Sequence, residues 1–206
     1  NSSGFGPDAM ARKFLFDGGA MPGSYNLLSV TPYGDGDAFG LFSKGIATGL
    51  KIDEGTLFTT GQAKDAIGPN SAPNTTTNWG LPGHPLLGTN SKDLSGLEIR
   101  FSPNQDMELD WKAQFGSEEF DEWSPSVFDD KAAIFLGRTR RNPKTPLRHL
   151  SPQNLLKGPG GGDVSVNGFS QDKGVFRKHM TMNEPCGPLS WEYDGTTQQA
   201  WTSKKA

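Results

Sequence analysis

The chain has one cysteine, Cys186, in 206 residues. A lone thiol closes no internal disulfide and does not identify a redox compartment. Cys186 lies between Pro185 and Gly187 with no recognisable base, so it reads as an ordinary free thiol. Histidine is equally scarce. His84, His149 and His179 form no Ser/His/Asp motif, and His84 has no second histidine at ligand spacing. No run approaches the roughly 18 apolar residues of a membrane helix, so membrane insertion is not expected. Positive charge is not in excess. The formal net charge of −3 argues against a general nucleic-acid binder. There is no apolar leader at Asn1, and the expectation is a chain that is either mature or intracellular.

What the chain does have is turns and aromatics. Gly 27 and Pro 15 are spread among short apolar runs, which reads as many turns rather than disorder. Thirteen Phe and five Trp supply core material, and the length allows one domain with a real core. Residues 97–101 alternate Leu97, Ile99 and Phe101 against Glu98 and Arg100, the clearest half-buried strand. Met107, Leu109 and Trp111 continue the pattern. Further strands are predicted over 25–31, 38–42, 46–50, 56–60, 111–115 and 132–136, at Val164 and Val166, and at 189–193. A return strand over 198–201 would follow an Asp194-Gly195 turn. Residues 9–16 read as a short helix or as an extended edge segment. The fold class is all-β, a β-sandwich or jelly roll with long loops and little helix. Residues 1–13 are read as an N-terminal arm and 14–206 as a single domain.

Residues 62–93 form a long loop rich in Pro, Asn, Thr and Gly, a length that is usually functional or pinned. Two readings of Trp79 stand. With Asn70 it would stack a sugar, or it pins the loop onto the sheet. Asn74-Thr-Thr and Asn1-Ser-Ser are glycosylation sequons, and Asn74 is expected to be exposed. Gly158-Pro-Gly-Gly-Gly162 lacks the Gly-Lys-Ser/Thr of a phosphate loop and reads as a turn. Residues 169–182 read as a long connection. Five basic residues, Arg138, Arg140, Arg141, Lys144 and Arg148, suggest either a solvated hairpin loop or a patch for a neighbouring subunit or anionic polymer.

The segment from Phe115 to Lys131 is the most unusual. Six carboxylates, Glu118, Glu119, Asp121, Glu122, Asp129 and Asp130, crowd together with no Lys or Arg before Lys131. Like charges so close repel unless water, a basic partner or a cation offsets them. Glu118 and Glu119 are adjacent, and on a strand adjacent side chains face opposite ways, so they do not straddle one glycosidic bond without a partner such as Asp130. Calcium is a better use. It takes six to eight oxygens, and Glu118, Glu119, Asp129 and Asp130 would supply acidic ligands from two strand ends. The competing reading is structural: carboxylates that accept backbone N–H groups and lock the loop.

Gly116-Ser117-Glu118-Glu119-Phe120, then a loop, then Phe128-Asp129-Asp130 and an apolar strand resembles the signature of the choice-of-anchor L domain. Gly55-Thr-Leu-Phe-Thr-Thr-Gly61, Ala66-Ile-Gly-Pro-Asn70, Asp163-Val-Ser-Val-Asn167 and Glu192-Tyr-Asp-Gly195 are similar to other segments of that family, in the same order. The resemblance spans roughly residues 14–201. It implies a secreted or surface protein, hence a mature, exported chain, and says more about fold and location than about activity. The expectation is an extracellular or cell-surface, non-enzymatic structural or adhesive module. Its partners would be copies of itself or other surface proteins and glycans, with calcium as the candidate cofactor. The alternatives are a lectin-like carbohydrate-binding module and a glycan-directed hydrolase using Glu118 and Glu119.

In proteins that the chain resembles, further strands follow the Tyr-Asp-Gly hairpin, whereas here the sequence stops at Ala206. The expectation is an open sheet edge filled by strand addition, with residues 1–16 of a neighbouring copy as one donor. The cleaved remainder of the same precursor is the other donor, and the alternative to strand addition is a shorter variant whose own N-terminal strand covers that edge.

Overall fold

A computed structural model describes residues 6–48, 50–67, 77–88, 90–117, 125–127, 129–137, 139–140, 148–149, 152–158, 161–169, 176–178, 191–193 and 201–202. Helix α1 spans Pro7–Asp17. Proline at its start needs no helical donor, and Asp8 sits at the positive end of the helix dipole. Met10, Ala11 and Leu15 are buried, so the helical alternative holds for this segment. The helix begins within the residues read as an arm.

Trp111 locks the helix C-terminus. Its indole Nε1–H donates to the Phe14 carbonyl at 2.9 Å, and its ring stacks on Phe14 with centroids 5.2 Å apart. The Asp110 N–H donates to the Gly18 carbonyl at 2.8 Å. Gly18 is required here by space: a Cβ would lie 2.3 Å from Trp111 Nε1.

Strand β1 (Tyr25–Tyr33) pairs antiparallel with β4 (Gly96–Pro103), and β2 (Phe39–Phe42) with β3 (Gly55–Phe58). Residues 97–101 behave as their alternation predicts, with Ile99 and Phe101 in the core. The alternation predicted for 25–31 fails at one point. The register slips between Leu27 and Ser29, leaving Leu28 65% exposed, so Leu27 and Val30 both turn inward. The strand expected over 46–50 is instead a 3₁₀ turn at Ile46–Thr48. Asp53 explains it: its carbonyl accepts the Gly45 N–H at 2.8 Å and its Oδ1 accepts the Ile46 N–H at 3.3 Å. These local bonds close the β2–β3 connection.

The run predicted at 111–115 pairs only around its ends. Strand β5 is Asp110–Trp111 and β6 is Gly116–Ser117. Its faces are as expected, with Ala113 and Phe115 packed inward and Lys112 exposed. Strands β7 (Lys131–Ala132), β8 (Phe135–Leu136) and β9 (Thr139–Arg140) then run antiparallel to β10 (Arg148–His149), β11 (Gln153–Asn154) and β12 (Val164–Ser165). β9 and β10 pair with each other, and Arg138, Arg141 and Lys144 of the basic segment lie outside the described residues. Between β11 and β12 the chain makes a side excursion, bridged at Lys157 and Asp163, and the Gly161 N–H donates to the Gly158 carbonyl at 3.0 Å, with residues 159–160 outside the described residues. That is the turn expected of the glycine run. Lys157 Nζ lies 2.7 Å from Asp163 Oδ1, and its hydrogen bond and charge hold that carboxyl below its ordinary value.

The later segments need two corrections. β13 (Phe176–Lys178) lies within the stretch read as a connection, and it pairs with β14 (Trp191–Tyr193). β14 in turn pairs with β6, while β15 (Trp201–Thr202) pairs with β5 and is not the return strand of β14. Non-local pairing with the 110–117 run takes precedence over the Asp194-Gly195 turn signal.

Two buried clusters form the core. One holds Leu15, Ala20, Leu109 and Trp111, and the other Leu156, Val164 and Val166. Ile134 packs against both and joins them. The described residues are thus mostly strand with one α-helix, an all-β chain with little helix.

Candidate functional site: the exit of the acidic loop

Three segments meet where the acidic loop enters β7. The Val166 N–H donates to the Asp130 carbonyl at 3.1 Å, which extends the β7–β12 ladder by one step and places Asn167 beside Asp129. The Asn167 N–H donates to Asp129 Oδ1 at 2.8 Å, and Lys131 Nζ lies 3.4 Å from Asp129 Oδ2. The Asn167 carboxamide then grips the loop itself. Its Oδ1 accepts the Ser126 N–H at 3.0 Å and its Nδ2–H donates to the Ser126 carbonyl at 2.7 Å. One side chain thus imitates a strand partner for Ser126. The turn that follows is tight: the Gly168 N–H donates to Ser165 Oγ at 2.9 Å, and a Cβ at Gly168 would lie 2.9 Å from the Asp163 carbonyl.

Asp130 is different. Burial raises its pKa above the usual carboxylate value, a hydrogen bond from the Thr60 side chain opposes this, and the charge of Asp129 adds to it. Thr60 stands just beyond β3, so the loop exit is tied to β3 on one side and to β12 on the other. Asp129 has a donor on each oxygen and acts as a tie. That is the structural use of these carboxylates that the sequence sets against a cation. Any cation here would have to share Asp129 with the Lys131 ammonium. Among the described residues, no group of three or more His, Cys, Asp or Glu could hold a metal ion. Glu118 and Glu119 lie outside the described residues, so only half of the predicted ligand set can be placed.

The other predicted site residues lie apart from this corner. Trp79 is half-buried, and its indole Nε1–H is buried without a hydrogen-bond partner among the described residues. Asn70, Asn74 and Cys186 lie outside the described residues. His84 caps a short 3₁₀ turn, its Nδ1 accepting the Leu86 N–H at 3.2 Å, with its ring edge-on to Tyr33. The residues that sequence reasoning missed are Asn167, Ser126 and Thr60. The available signal was an Asn directly after an apolar strand, a position from which its amide readily bonds backbone groups.

The family model for the Choice-of-anchor L domain matches residues 4–199, nearly the whole chain. The chain belongs to the choice-of-anchor L domain family. Three of the segments that carry the family resemblance meet at this corner: Thr60 follows β3, Asp129 and Asp130 precede β7, and Asn167 follows β12. Comparisons with curated proteins and with solved structures returned no match. Membership associates the domain with proteins of the cell surface and extracellular space.

Proposed function

We propose that this choice-of-anchor L domain is an extracellular or cell-surface, non-enzymatic β-sandwich whose role is structural or adhesive. The family match over residues 4–199 carries this reading. The loop-exit geometry supports it: Asp129, within the most acidic segment, is used as a backbone tie and not left free as an acid or base. Self-assembly by strand addition is part of the proposal. β13 forms one edge of the β13–β14–β6 group, and its outer side has no strand partner among the described residues. Residues 7–17 would donate a strand only by undocking α1, which would expose Met10, Ala11 and Leu15. A donor strand is therefore better sought in another segment.

Calcium remains the candidate cofactor, held by Glu118 and Glu119 with Asp129 and Asp130. The experiment for adhesion coats beads with the purified domain and presents them to intact producer cells. Retention well above albumin-coated beads is expected, and retention equal to albumin would remove the adhesive reading.

A further inference from the structure

Asn167 is followed by glycine, and no other asparagine of the chain is. That pairing carries a reaction of its own. The backbone nitrogen of the following residue attacks the side-chain carbonyl carbon of the asparagine, ammonia leaves, and a cyclic succinimide forms. Water then opens the ring on either side and gives an aspartyl or an isoaspartyl linkage. In balance, a water enters, an ammonia departs and the chain gains a carboxylate. Glycine favours the step because it has no Cβ to shield its nitrogen or to restrict the turn.

The fold withholds both reactants. The Asn167 carboxamide is held by Ser126, its Oδ1 accepting the N–H at 3.0 Å and its Nδ2–H donating to the carbonyl at 2.7 Å. The Gly168 N–H donates to Ser165 Oγ at 2.9 Å, and Ser165 is only 5% exposed. Asn167–Phe169 is a 3₁₀ turn, a backbone that does not bring the Gly168 nitrogen onto the Asn167 side chain. Water is close at hand all the same, since Gly168 is exposed and Asn167 half-buried. What protects the pair is therefore the set of bonds that ties the acidic loop.

We propose that Asn167–Gly168 is a latent deamidation site, closed while the acidic loop is tied and reactive when the loop leaves. Local opening frees the carboxamide for attack and relaxes the turn behind it. The product then keeps the loop from returning. An aspartyl carboxylate turns an oxygen toward the Ser126 carbonyl and adds charge beside Asp129. An isoaspartyl linkage lengthens the main chain by a methylene and moves the carboxyl group off its position opposite Ser126. A transient opening thereby becomes a covalent and lasting one.

The test is peptide mapping by mass spectrometry of the full chain, incubated in mildly alkaline buffer with and without denaturant. Asn167 should deamidate at least several-fold faster in the denatured chain than in the native one. Ser165→Ala removes the acceptor of the Gly168 N–H, and Ser126→Pro removes the N–H that Asn167 accepts. Each should speed the native reaction several-fold, in protein that circular dichroism shows to be folded. The deamidated wild type, separated by ion exchange on its added charge, should have a Ser126 amide several-fold less protected from hydrogen exchange. Equal rates in native and denatured chains would overturn protection by the fold. A native rate that neither substitution raises would overturn protection by the tie. A deamidated protein whose Ser126 amide keeps its original protection would overturn the lasting release of the loop.

Discussion

Replacing Asn167 tests whether the acidic loop is tied as described. Asn167→Ala deletes two hydrogen bonds to Ser126, at 3.0 and 2.7 Å, and leaves the Asn167 N–H to Asp129 in place. A neutral hydrogen bond contributes about 0.5–1.5 kcal/mol net. Both residues are only half-buried, so water takes over part of the loss, and the expected cost is about 1–2 kcal/mol. For a domain of this size that corresponds to a fall in Tm of about 2–8 °C. Asn167→Asp should be worse at pH 7. It keeps the acceptor for the Ser126 N–H but turns a carboxylate oxygen toward the Ser126 carbonyl. It also adds a charge beside Asp129, a further penalty on the order of 1 kcal/mol. Protonation near pH 3 should close most of that gap. Thermal unfolding measures the order of stability, and hydrogen exchange localises it: the Ser126 amide should lose protection while the Asn167 amide keeps its own. Asn167→Asp more stable than Asn167→Ala at neutral pH, or a Ser126 amide equally protected in all three proteins, would refute the tie.

Four further outcomes are expected. Gly18→Ala drives a methyl into the Trp111 ring and loosens its bond to Phe14, costing about 2–4 kcal/mol by overpacking and hydrogen-bond loss. Trp111→Phe alone should cost less, because the Phe14 carbonyl still receives the Gly18 N–H, and the double variant should fall short of the sum of the two in denaturant unfolding. Asp130→Asn tests the raised pKa. A carboxyl whose folded pKa is raised binds a proton on folding, so wild-type stability from this group falls as pH rises from about 4 through the folded value. The variant should therefore gain stability relative to wild type over that rise, and a constant difference across pH would count against the assignment. Adding calcium should raise Tm and a chelator should lower it; a Tm that ignores the chelator removes the cation proposal.

The parts that could be read in the sequence are those where one face decides the outcome. Leu97, Ile99 and Phe101 alternate because β4 has a core side, and Trp111, Ala113 and Phe115 keep a common face even where the pairing lapses. The misreadings come from bonds that periodicity does not encode. Asp53 closes a 3₁₀ turn beneath Ile46, a single bulge at Leu28 reverses a pattern, and β15 pairs with a strand some ninety positions earlier and not with its neighbour. At the candidate site the carboxylates are conspicuous as charge, but their use depends on Asn167 and Thr60, which reach them only through the fold. That is why Asp129 and Asp130 could be named from the sequence while their tie to β12 could not.

The account rests most heavily on a surface location for this domain. Immunogold labelling of intact, unpermeabilised producer cells with an antibody to the domain tests that directly. The expected result is dense label on the outer surface or in the surrounding matrix, unchanged by permeabilisation. Label that appears only after the cells are opened would contradict the account.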